Sequence, residues 1–135
     1  MKILERQATT IGGRDGIIKD TQSTIELKLA KPQEMGGKLA KGTNPEELFA
    51  MGYSSCFASS IEFLLQSSKQ AYEDIEVTVT ASLVKDGDSG FKFEALVNAK
   101  IMGVTKDIEK KYIEMAYQFR PYSKAIKGNV DIKFA

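Results

Sequence analysis

The chain of 135 residues carries a single cysteine, Cys56, inside the nearly uncharged run MGYSSCF. A thiol in that setting is either a small apolar filler or a nucleophile. Nucleophilic chemistry needs thiolate, which at an ordinary pKa of about 8.5 is only a few per cent of a thiol at neutral pH. Something must stabilise the anion. Histidine is absent from the chain, so no Cys-His or Ser-His-Asp relay can form. A zinc site would be left with one thiol and carboxylates, a poor match to the usual nitrogen and sulfur ligands, and neither metal nor cofactor is expected. A guanidinium pressed against the sulfur is the best remaining activator, able to lower its pKa by about one to a few units. A carboxylate would then hold that guanidinium in a bidentate pair.

The arginines are Arg6, Arg14 and Arg120. Arg14 stands out because the glycines of GGRDG let the backbone turn tightly and can bring the side chain into a pocket. A solvated turn residue is the competing reading, and pattern alone leaves both open. Glu46 likewise reads as a favourable first-turn charge on a helix, with or without a further role.

Ile25, Leu27 and Leu29 alternate with Glu26 and Lys28 at the strand period, and IGGRDG makes a turn between early strands. A helix is expected from Asn44 as cap, with Pro45 at its first position and Glu46 and Glu47 at the positive end of its dipole. From Leu48 to Gln66 only Glu62 is charged, so the helix is expected to be buried on several sides. Its serines, Glu62 and Gln66 argue against a membrane span. One helix or two remains open, since Gly52 can end a short first helix and Ser54 can cap a second. The break bears on the thiol: only a restart near Ser54 puts Cys56 in a first turn, where the dipole helps.

Residues 74–84 and 91–101 alternate as the two arms of a hairpin closed by KDGDSG. A helix carrying Ile108, Tyr112, Met115, Ala116 and Phe119 runs to Pro121, and PYSKAIKG leads to a last strand, VDIKF. Strands, long helix, hairpin, helix and strand make an α+β fold, expected as one domain over 1–135. So few elements form a thin shell for a buried helix, and a homodimer sandwiching two such helices would cover the rest.

Composition excludes other classes. Nineteen basic and eighteen acidic residues balance, with no basic stripe of the kind nucleic acid requires. A lone cysteine cannot make an intrachain disulfide, and residues 1–20 carry charges where a secretion signal would need an apolar core. The expected compartment is the cytoplasm, with no membrane partner.

The run GTNPEELFAMGYSSCF, with GGRDG before it and PYSKAIKGNVDI after it, resembles the Ohr/OsmC family of organic hydroperoxide resistance proteins over nearly the whole chain. The resemblance implies antiparallel sheets packed on a long central helix, in an intertwined homodimer with active sites at the subunit interface. It implies a thiol peroxidase that reduces organic hydroperoxides to alcohols and leaves a cysteine sulfenic acid. Cys56 matches the family's peroxidatic cysteine, Arg14 its thiolate-stabilising arginine, and Glu46 the glutamate that pairs with that arginine. Ten residues of continuous helix would hold Glu46 and Cys56 about 15 Å apart along the axis, so a bend near Gly52 is expected.

One departure is chemical. The family pattern has a second, resolving cysteine just before PYS, where this chain reads FRPYS. Either an external thiol reductant resolves the sulfenic acid directly, or efficient peroxidase activity is lost. Arg120, at that position, is either a second cation near Cys56 or a surface residue. The alternative function is a non-catalytic or weakly active dimer binding a hydrophobic small molecule near Phe49, Tyr53 and Phe57.

Overall fold

A computed structural model of the protein describes residues 1–22, 24–38, 41–119 and 121–135. It resolves into two compact units, Met1–Leu48 and Phe49–Ala135.

In the first unit, strands β1 (Ala8–Ile11), β2 (Ile17–Asp20) and β3 (Glu26–Lys28) form an antiparallel sheet in that order. The β1–β2 connection is a single 3-10 turn, Gly13–Asp15. Gly12 and Gly13 enter it at φ 91° and 66°, a left-handed path that side chains resist, which is why this turn is written with glycines. After β3 the chain makes a parallel bridge between Leu29 and Thr43. Leu29 and Ala30 are buried beside it. The bridge fixes the entry to helix α1 (Pro45–Ser67), whose first turn is capped as expected: Glu47 N–H donates to Asn44 Oδ1 at 2.8 Å.

Helix α1 continues without interruption into the second unit, and the expected break at Gly52 does not occur. The reason for a glycine there is steric. A Cβ on Gly52 would lie 2.7 Å from the Tyr122 hydroxyl, so the position is kept bare for a packed ring.

The second unit also holds β4 (Asp74–Lys85), β5 (Phe91–Met102), α2 (Lys106–Phe119), α3 (Pro121–Ile126) and β6 (Asp131–Phe134). The hairpin pairs Ile75 with Ile101, Val77 with Ala99 and Val79 with Val97, placing the expected apolar residues of the two arms side by side on one face. This sheet is mixed, in contrast to the antiparallel expectation, because β6 runs parallel to β5 from Glu94↔Asp131 to Val97↔Phe134. The cause lies in connectivity: α2 and α3 cross over between the two strands and return the chain to the end where β5 began.

The core gathers Tyr53, Phe57, Ile61 and Leu65 of α1, Val97 and Ile101 of β5, and Tyr112 and Ala116 of α2. On α2, Met115 and Phe119 lie on the more exposed side. Burial of α1 is a stripe rather than the several faces expected: Met51 and Phe63 remain 47% and 48% exposed. The helix is long and apolar enough to cross a bilayer, but its stripe packs into this core.

Candidate active site

Arg14 and Glu46 meet. The turn lifts Arg14 off the β1–β2 connection, the Leu29–Thr43 bridge holds the start of α1 against the neighbouring strand, and the cap fixes Glu46 in the first helical turn. The guanidinium donates twice to the carboxylate, Nη1 to Oε2 at 2.7 Å and Nη2 to Oε1 at 2.8 Å. This fork-on-fork geometry fixes the plane as well as the position of the cation. The side chains are 33% and 18% exposed, so water screens the pair only in part. The paired guanidinium holds the Glu46 carboxyl below its ordinary value, and the carboxylate raises Arg14.

Cys56 is partly buried on α1. Three turns of helix precede it, so the N-terminal dipole contributes little at the sulfur. Three of the serines around it are tied to the backbone: Ser54 donates to the Met51 carbonyl, Ser59 to that of Ser55, and Ser60 to that of Cys56 itself, at 3.0, 2.8 and 2.8 Å. Ten residues of unbroken helix separate Cys56 from Glu46, about 15 Å along the axis. The bend expected to bring them together within one chain is absent, so one copy of α1 keeps this thiol and this carboxylate apart.

The surroundings of Cys56 include groups that the sequence presented only as part of the PYSKAIKG motif. The Tyr122 ring lies against Gly52, one helical turn before Cys56, and stands edge-on to Tyr53 with centroids 6.2 Å apart at 88°. The Tyr53 hydroxyl faces Ser123 Oγ at 3.5 Å, and burial raises the Tyr53 phenol above its ordinary value. A tyrosine and a serine side by side near a cysteine-bearing helix were the available signal; their partners on α1 were not. Arg120 lies outside the described residues. Among those residues, no group of three or more histidine, cysteine, aspartate or glutamate side chains is placed to hold a metal ion.

A family model described as OsmC-like protein matches residues 36–135. The organic hydroperoxide resistance protein-like 2 of Staphylococcus epidermidis is 42% identical over 123 residues, covering 90% of this chain and 87% of that protein. Among solved structures, an organic hydroperoxide resistance protein OsmC from Legionella pneumophila superposes with a TM-score of 0.93 at 36% identity, covering 99% of this chain and 97% of that one. A putative organic hydroperoxide resistance protein from Vibrio cholerae, with captopril bound in one of its active sites, gives 0.92 at 34%, covering 99% and 92%. Sheets, helix and motif order thus agree with those of proteins similar along almost their full length, and the chain belongs to the Ohr/OsmC family.

Proposed function

We propose that this protein is a thiol-dependent peroxidase for organic hydroperoxides, with Cys56 as nucleophile, Arg14 as activator and Glu46 as the group that orients Arg14. The observation that carries the reading is the bidentate Arg14–Glu46 pair, a cation already fixed in direction with no histidine in the chain to compete for the role. Because an unbroken α1 holds Glu46 and Cys56 apart, the proposed site is built from two copies: the pair of one protomer faces Cys56 of its partner. Apolar surface on α1, at Met51 and Phe63, supports a helix-covering homodimer.

In the reaction, the Cys56 thiolate attacks the distal oxygen of the hydroperoxide, the O–O bond breaks, and alkoxide leaves to become alcohol. The sulfur, oxidised by two electrons, becomes a sulfenic acid. Cys56 is the chain's only cysteine, so an external thiol condenses with the sulfenic acid, releasing water and forming a mixed disulfide. A second thiol then restores Cys56 by exchange. Such turnover belongs in a reducing compartment such as the cytoplasm.

The test is to mix reduced protein with cumene hydroperoxide and a sulfenic-acid trap. Label is expected at Cys56, forming faster than on free cysteine, and none in Cys56→Ser. A rate equal to that of free cysteine would reject the peroxidase reading and favour a non-catalytic dimer that binds hydrophobic molecules.

A further inference from the structure

Reduction of a hydroperoxide expels an alkoxide, a poor leaving group unless it is protonated as the O–O bond breaks. Arg14 is a poor source of that proton, since a guanidinium stays charged in proteins. Histidine, the commonest proton donor in active sites, is absent. The second unit offers another donor. The Tyr122 hydroxyl lies 2.7 Å from where a Gly52 Cβ would stand. Gly52 and Cys56 are i and i+4 on one unbroken helix, so their Cβ positions stack about 5–6 Å apart on the same face. Helical side chains lean toward the N-terminus, so the thiol leans over the turn that the phenol occupies. The ring stands edge-on to Tyr53, and the next residue, the buried Ser123, faces the Tyr53 hydroxyl. Within its own chain Tyr122 is 41% exposed, so no residue of the same copy closes it off from an incoming molecule.

We propose that Tyr122 is the proton donor to the leaving oxygen, and that Gly52 exists to admit its hydroxyl beside Cys56. The inference rests on the peroxidase reading above. The step balances: Cys56 thiolate, ROOH and the Tyr122 phenol give Cys56 sulfenic acid, ROH and tyrosinate, which recovers its proton from water.

The experiment compares wild type with Tyr122→Phe in three reactions of reduced Cys56: with cumene hydroperoxide, with peracetic acid and with iodoacetamide. Carboxylate and iodide leave without a proton, whereas alkoxide does not. Tyr122→Phe is expected to slow the hydroperoxide reaction about 100-fold, the scale of a lost general acid, and to leave the other two unchanged. Gly52→Ala, which pushes the hydroxyl away with the ring retained, is expected to show the same selectivity. Equal slowing of all three reactions would mean that the ring only shapes the site, and an unchanged hydroperoxide rate would mean that the phenol is idle; either overturns the proposal. A wild type no faster than free cysteine with either peroxide would instead remove the peroxidase reading, and this inference with it.

Discussion

Gly52→Ala separates two accounts of the same residue by the sign of a stability change. If Gly52 ended a helix in a left-handed conformation, a Cβ there would cost about 1–2 kcal/mol. In the structure Gly52 is an ordinary helical residue in the interior of α1, and it is not among the glycines with positive φ. Alanine at such a position gains about 1 kcal/mol of helix propensity. Against that stands the contact with Tyr122: the new Cβ begins 2.7 Å from the hydroxyl and 3.3 Å from Cζ, and ordinary contact starts at 3.4 Å. The phenol end must therefore retreat by roughly 0.7 Å, and it is half exposed, free to do so. Even if the edge-on contact with Tyr53 were lost, the cost would be about 0.5–1.5 kcal/mol. The net change thus lies between a loss of about 0.5 and a gain of about 1 kcal/mol. Thermal unfolding should show a Tm close to wild type or raised by about 3–4 °C. The hydroperoxide rate should fall on the order of tenfold as the hydroxyl is displaced. A clear drop in stability of 1–2 kcal/mol, with the hydroperoxide rate intact, would refute the clearance account and restore the helix-break one.

Because the Glu46 carboxyl sits below its ordinary value of 4.5, its ion pair stabilises the fold fully above that value and is lost as pH falls through the lower, folded one. Glu46→Gln should therefore cost about 1 kcal/mol at pH 7 by denaturant unfolding, and the difference from wild type should vanish in acid; a gap constant with pH would contradict the pairing. Asn44→Ala removes the oxygen that accepts from Glu47 N–H and should cost about 1 kcal/mol, whereas Asn44→Asp should retain most of it; equal losses would show that the cap is not what matters.

How much of this was legible from the sequence differs from residue to residue, for physical reasons. The start of α1 was plain because the signals at Asn44, Pro45 and Glu46 are local and act on the same turn. The hairpin was plain because Ile75, Val77 and Val79 repeat at the strand period and face Ile101, Ala99 and Val97. The Arg14–Glu46 pair spans 32 positions, and no local pattern encodes such a meeting; the glycines of GGRDG mark Arg14, but only the family resemblance points to Glu46 as its partner. A glycine inside an apolar helix carries the same letter whether it stops the helix or clears space, so the role of Gly52 against Tyr122 is visible only in the packing. The parallel pairing of β6 is compatible with the order strand, helix, strand, which permits a crossover without requiring one, so the order alone does not overrule the antiparallel sheets that the resemblance implies.

The central claim is that a thiol on one copy of α1 works with an arginine–glutamate pair held by another, and mixed dimers test it most directly. Cys56→Ser and Arg14→Ala protomers, differently tagged and co-expressed, are purified as heterodimers and assayed for hydroperoxide consumption with excess thiol. Sites built across two copies leave one intact site in each heterodimer, so activity should return to about half that of wild type, although each parent alone is impaired. Heterodimers no more active than the Arg14→Ala parent would mean that the groups do not combine across protomers, and the account would fail.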